Sequence, residues 1–177
     1  MSDLPIHPVI VHFPIVLAFL SPVVIGLVIW ATKKGFLNNK AWIFVVLLQV
    51  ALVGSAFLAS ELGEMDEERV EKVVTETLIK NHEELAEMFT WGVSAVLLLS
   101  IVPLVYKNRR EAVLYAVFAG SVLALVPAAL AGHSGGELVY KYGAATAYVP
   151  TGQHASVSPS SVGRGSVGDI GLDDDDD

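Results

Sequence analysis

Four apolar segments constrain this chain more than any other feature of its sequence. They lie at about residues 9–31, 41–60, 85–105 and 112–132, and each is close to the roughly 20 helical residues that a bilayer crossing requires. Because the lipid core offers no partner for backbone N–H and C=O groups, such segments fold as helices. The pattern predicts an all-α integral membrane protein with a four-helix bundle in residues 1–142.

The loops between these segments carry charges of opposite sign. The loops after the first and third segments hold six of the eleven basic residues, whereas the loop at 61–84 is strongly acidic. Short basic loops stay in the cytoplasm by the positive-inside rule. We therefore expect a protein of the bacterial cytoplasmic membrane whose acidic loop and two termini lie on the periplasmic, exoplasmic side.

The acidic loop also contains an apolar periodicity. Within residues 65–82, apolar or weakly polar side chains recur at helical spacing while acids occupy the other positions; they are Val70, Val73, Val74, Thr77 and Leu78. This pattern predicts a short amphipathic helix that lies over the mouth of the bundle.

The last 35 residues differ in composition from the rest. Residues 143–177 are rich in Gly, Ser and Pro, lack periodicity and end in five aspartates. Such a composition does not bury enough apolar surface to order itself. We expect an extended tail that packs on a neighbouring subunit of a membrane complex.

Four of the five histidines border the apolar segments. His7 and His12 begin the first, His82 precedes the third and His133 follows the fourth. With the topology above, all four lie at the exoplasmic end, together with Glu61 at the end of the second segment. Ionisable groups at membrane depth are costly and usually functional, so a cofactor or metal role is favoured over a polar cap.

The residue types narrow the choice of ligand. The sequence has no cysteine, which excludes disulfides, iron–sulfur clusters, thiolate metal sites and the attachment motif of c-type haem. Two neutral imidazoles on facing helices are the ordinary way to hold haem b in a bundle. We predict His12 and His133 as one axial pair, and His7 and His82 as a second pair or as supporting groups.

Space for a porphyrin would come from small residues, and the candidates are Gly54, Gly92, Gly120 and Gly132. The alternative is a Zn, Cu or Fe site formed by the four histidines with Glu61. The sequence contains no H-E-x-x-H, Walker or G-x-S-x-G motif, so an electron-transfer or accessory role is favoured over that of an independent enzyme.

The stretch GHSGGELVYKYG at 132–143 is the second distinctive segment. Its paired glycines, Gly135 and Gly136, predict a left-handed turn after the fourth helix. That turn would fold the chain back over the bundle mouth and fix His133 beside the first-segment histidines.

HPVIVHFPI at 7–15 and GHSGGELVYKYG at 132–143 together resemble the family of predicted bacterial four-helix membrane proteins called domain of unknown function 2231. The resemblance covers roughly residues 5–145. It implies a bundle whose histidines are haem or metal ligands, in proteins associated with redox systems.

The predicted function is that of a haem b electron-transfer subunit in a respiratory or photosynthetic complex. Its partners would be the bilayer, other subunits and a c-type cytochrome, with no nucleic acid. Two alternatives stay open: a cofactor-free accessory subunit, and a metal-binding protein that uses histidine and glutamate.

Overall fold

The computed structural model describes residues 6–106 and 110–148, and this part of the chain consists of helices joined by short turns, without strands. The predicted all-α class is confirmed. Six α-helices are present: α1 His7–Ile10, α2 His12–Lys33, α3 Trp42–Val70, α4 Glu76–Val105, α5 Arg110–Leu123 and α6 Leu125–Tyr140. Two short 3-10 helices accompany them at Asn39–Ala41 and Ala144–Tyr148.

Four helical segments of the described chain are long and apolar enough to cross a membrane, as predicted. They are His7–Lys33, Asn39–Val70, Glu76–Val105 and Glu111–Tyr140. Each extends beyond the apolar run that predicted it, because helix continues into the polar flanks. Large apolar side chains such as Phe13, Phe44, Trp91 and Leu98 remain exposed on the outside of the bundle, as expected of a surface that faces lipid.

Two of the spans consist of two consecutive helices each. The first span is interrupted at Val11 and the fourth at Ala124. Each interruption lies three residues before a proline, Pro14 or Pro127. A proline has no N–H to donate, and its ring presses on the carbonyl one turn earlier. Proline accounts for an interruption at these two positions, whereas Pro22 and Pro103 lie inside α2 and α4 without one.

The acidic segment forms no separate amphipathic helix, so that prediction was wrong. Helix α3 continues to Val70, residues 71–75 form a turn, and α4 already begins at Glu76. Glutamate and lysine are good helix formers, and Lys80 forms an i,i+4 ion pair with Glu76. Both transmembrane helices can thus extend into the polar segment.

The chain turns back later than predicted. Gly135 and Gly136 lie inside α6, which runs to Tyr140, and the left-handed residue is Gly143 with φ of 75°. The 3-10 helix Ala144–Tyr148 then packs on α3 and α6. Ala144 is buried there with Val74 and Ile79. The rest of the predicted tail, residues 149–177, lies outside the described residues.

Two apolar clusters fill the bundle one above the other. The first contains Ile25, Ile29, Trp42, Val45, Val46, Val96, Leu114 and Val117. The second contains Ala18, Leu52, Ala56, Phe89, Val93, Ala124 and Ala128. The buried Trp42 indole also donates a hydrogen bond of 2.8 Å from Nε1 to the Ser100 carbonyl, which ties α3 to α4.

Candidate functional site: a pair of histidines at one end of the bundle

His7 and His82 lie against each other at the end of the bundle where α1 and α4 begin. Their ring centroids are 6.5 Å apart and the ring planes meet at 84°. Both side chains are half-buried. Helix α1 brings His7 to this position because it packs on the later part of α3, while α6 supports His82 from the other side.

The His7 imidazole is held by the backbone of α3. Its Nδ1 lies 2.8 Å from the Ala59 carbonyl oxygen. A carbonyl can only accept, so Nδ1 carries the proton and donates it. In the neutral ring, Nε2 is then unprotonated and keeps a lone pair for a ligand.

The His82 imidazole is held in a similar way by α6. Its Nδ1 lies 2.9 Å from Ser134 Oγ, and the Ser134 hydroxyl donates its own hydrogen to the Ala131 carbonyl at 3.0 Å. With the hydroxyl hydrogen directed to Ala131, the serine oxygen accepts a hydrogen bond from His82 Nδ1–H. Neutral His82, like His7, keeps an unprotonated Nε2.

Two glycines make room for the two rings. A Cβ at Gly63 would lie 3.2 Å from His7 Cε1, and a Cβ at Gly135 would lie 3.0 Å from His82 Cε1. Both distances are tighter than ordinary van der Waals contact. Gly63 lies one turn after Ala59 on α3, so its missing side chain opens the helix face that the His7 ring approaches. Glycine inside a helix is unfavourable by itself, and this close approach explains its presence.

The arrangement has the chemistry of a ligand pair. Haem iron and metal ions bind neutral imidazole, and a ligating histidine commonly donates its other ring N–H to a carbonyl or hydroxyl oxygen. The two neutral imidazoles are therefore donors of the type that would hold a haem iron or a metal ion.

The other predicted ligands are placed differently. The side chains of His12, His133 and Glu61 are exposed, and none of them forms a hydrogen bond or ring contact within the described residues. His133 precedes Ser134, which faces His82, so it points about 100° away around α6. The structure thus brings together His7 and His82, not His12 and His133. The ligand roles of all four histidines stay predictions.

Two further expectations bear on the site. Over residues 6–106 and 110–148, no group of three or more His, Asp or Glu side chains is arranged to hold a metal ion. Of the glycines expected to make room for a porphyrin, Gly54 and Gly132 are exposed, and a Cβ at Gly120 would lie 3.0 Å from Val96 Cγ2. Gly120 therefore serves the contact between α5 and α4.

Sequence reasoning missed the groups that hold the two rings. Ser134 and Gly135 lie in the GHSGG stretch that the sequence singled out, so proximity to His133 was an available signal. Ala59 and Gly63 carried no such signal, because a backbone carbonyl has no sequence signature and Gly63 is a single glycine in the acidic segment.

Comparison with known proteins confirms the family that the sequence resembles. The family model described as "Predicted membrane protein (DUF2231)" matches residues 3–148. That range contains His7, His82 and Ser134, and it ends at the last residue of the second 3-10 helix. No curated protein and no solved structure matches the chain.

Proposed function

This chain belongs to the DUF2231 family of predicted membrane proteins, and from that premise we propose that it is an electron-transfer subunit that binds one haem b between His7 and His82. One observation carries the proposal. The two adjoining imidazoles each have Nδ1–H engaged in a hydrogen bond, which leaves both Nε2 atoms for a ligand.

The surrounding residues have definite roles in this proposal. The Ala59 carbonyl and the Ser134 hydroxyl orient the rings, fix the Nδ1–H tautomer and increase the basicity of Nε2. Gly63 and Gly135 allow the rings to lie close to α3 and α6. When bound, a bis-histidine haem supplies a one-electron couple, which accepts one electron from a donor and passes it to an acceptor.

The proposed location is the bacterial cytoplasmic membrane with the histidine end on the periplasmic side. At this end of the bundle, α3 carries exposed acidic side chains, among them Glu61, Glu64 and Glu68. A negative surface steers a basic partner toward it. We accordingly propose a c-type cytochrome as redox partner and a larger respiratory or photosynthetic complex as the context.

A cofactor-free accessory role is the second candidate, and a specific observation favours it. The His7–Ala59 bond joins α1 to α3 and the His82–Ser134 bond joins α4 to α6. These bonds fasten the bundle without any ligand. A Zn, Cu or Fe ion on the same two Nε2 atoms is the remaining alternative, and it would need further ligands.

Absorption spectra of the detergent-purified full chain, produced with haem available, test the proposal. The oxidised protein should show a Soret band, and dithionite reduction should produce a sharp α-band typical of bis-histidine haem b. We expect His7→Ala and His82→Ala to lose these bands. His133→Ala is the matched control, since that histidine is exposed on α6, and it should keep them.

Two results would overturn the proposal. Absence of haem bands in the wild-type protein would contradict haem binding. Metal analysis of the same sample would then distinguish a metal site from an accessory role. Haem bands that persist in His7→Ala and His82→Ala but disappear in His12→Ala or His133→Ala would contradict the assignment of His7 and His82 as the ligands.

A further inference from the structure

A polar layer separates the two apolar clusters of the bundle. Ser21 on α2, Gln49 on α3 and Ser121 on α5 are all buried, with exposed fractions of 1%, 1% and 4%. Each lies three or four residues from cluster members on both sides, as Gln49 does from Val45 and Leu52. Helical spacing therefore directs all three toward the bundle axis.

These three side chains line a small internal cavity. Its apolar wall is made by α4 and by neighbours on the other helices, including Leu52, Val93 and Val96. The space open to the centre of a water molecule is about 10 Å³, close to the volume that one water needs. No charged side chain lines the cavity.

The polar atoms at this cavity lack protein partners. Gln49 Nε2, Gln49 Oε1 and Ser21 Oγ are fully buried and form no hydrogen bond with the residues that the structure describes. The Ser121 hydroxyl instead donates to the Phe118 carbonyl at 2.7 Å, so its oxygen can still accept. Leaving an amide without hydrogen bonds in a lipid-surrounded interior is costly. A small polar molecule in the cavity would supply the missing partners.

We propose that the cavity binds a single water molecule that is hydrogen-bonded to Gln49 and bridges α2, α3 and α5. Water matches the site because the amide offers both donors and an acceptor, while the serine oxygens offer acceptors. An ion does not match, since a buried charge requires a countercharge or several ligands. The apolar clusters on both sides would hold the water in the site for long times.

This site is distinct from the histidine pair. Gln49 precedes Ala59 by ten residues on α3, which corresponds to about 15 Å along the helix. The second apolar cluster lies between the two levels. The proposal therefore does not depend on whether the protein binds haem.

Nuclear magnetic resonance of the full chain in lipid nanodiscs tests the water site. Spectra that correlate the water signal with amide protons, by NOE and ROE, should show cross-peaks to the Gln49 side-chain amide with the signs of a long-lived bound water. The Gln49 amide is assigned by its disappearance in Gln49→Met, which keeps the length of the side chain. Absence of these cross-peaks in the wild-type protein would overturn the proposal.

A second variant tests the bridge to α2. Ser21→Ala removes a hydroxyl that would bind the proposed water, so the cross-peaks to Gln49 should weaken or disappear. Cross-peaks of full intensity in this variant would contradict the proposed bridge. Ser94→Ala, whose hydroxyl bonds to its own helix at Thr90, is the matched control and should leave the cross-peaks unchanged.

Discussion

The imidazoles of His7 and His82 lie 6.5 Å apart, centroid to centroid, although 75 positions separate them in the sequence. Each ring is fixed through Nδ1 by a helix that it does not belong to. Four helices thus converge on two rings, and the geometry of the pair is a product of bundle packing. Substitutions that disturb one helix contact should therefore affect the site as a unit.

Alanine at Gly63 is the first test of that relationship. Its Cβ would lie 3.2 Å from the His7 ring, so the ring must move and its bond to Ala59 must weaken. We expect Gly63→Ala to leave the free energy of unfolding unchanged. The weaker hydrogen bond between His7 and Ala59 offsets the roughly 0.5–1 kcal/mol that alanine contributes over glycine in a helix. Denaturant unfolding in detergent micelles measures it.

Gly54→Ala on the same helix is the control. Nothing lies within 4 Å of a Cβ at that position, so the variant should be more stable by the full helix-propensity gain of about 0.5–1 kcal/mol. The same contrast is expected between Gly135→Ala, which meets the His82 ring, and Gly136→Ala, which does not. Equal stabilisation at all four positions would show that the rings do not occupy these sites.

Removal of the Ser134 hydroxyl is the second test. Ser134→Ala removes the hydrogen bond between the side chains of His82 and Ser134, and loss of such a bond costs about 1 kcal/mol. Loss of this hydrogen bond should also weaken haem retention about 10-fold, if haem binds as proposed. Unfolding free energy and haem titration are the two measurements.

Ser94→Ala serves as the comparison for Ser134→Ala. Its hydroxyl donates within its own helix to the Thr90 carbonyl at 2.7 Å, so its removal leaves no partner of another helix unpaired. We expect a change within about 0.5 kcal/mol. A Ser134→Ala variant indistinguishable from Ser94→Ala would contradict the hydrogen bond between α4 and α6.

The third prediction concerns the hydrogen bond and the burial of the Trp42 indole. Trp42 is 2% exposed, and its Nε1–H donates to the Ser100 carbonyl across the bundle. Trp42→Phe removes that bond and part of the buried volume, so we expect about 1–2 kcal/mol less stability. Trp30, 55% exposed, provides the control, and Trp30→Phe should change stability by under about 0.5 kcal/mol. A similar loss in both variants would contradict the interior contact.

The fourth prediction concerns the ionisation of the Tyr148 phenol at alkaline pH. Burial, aided by the nearby negative charge of Asp66, raises the pKa of Tyr148 to about 12. The hydroxyl forms no hydrogen bond in the structure, so we attribute the influence of Asp66 to its charge. Alkaline absorbance titration should show one tyrosine ionising last, and Tyr148→Phe should remove that final transition.

The sign of the pH effect follows from this raised pKa. Unfolded tyrosine ionises near pH 10, so the protonated phenol is favoured in the folded protein. The contribution of Tyr148 to stability is fully present below about pH 10 and is lost as the pH rises toward 12. A Tyr148→Phe variant with the same loss of stability in this pH range would contradict the assignment.

The sequence determined the four membrane spans, because span length and apolar character are properties of consecutive residues. It did not determine the helix interruptions: Pro14 and Pro127 follow one each, but Pro22 and Pro103 lie inside α2 and α4 without one. It did not reveal that Gly135 and Gly136 continue α6, because a glycine pair ends a helix or allows a close contact depending on what packs against it. At Gly135 the glycine allows a close contact, because the His82 ring lies close to where a Cβ would be.

Only the tertiary structure decided which histidines meet. His7, His12, His82 and His133 each lie at the border of an apolar segment, and the sequence favoured His12 with His133 over His7 with His82. Their distances depend on how α1 packs on α3 and how α6 rotates Ser134 toward α4, and neither is encoded in local periodicity. The same holds for the polar layer. Gln49 is the single amide of the apolar segment at 41–60, but Ser21 and Ser121 become its neighbours only when α2, α3 and α5 pack together.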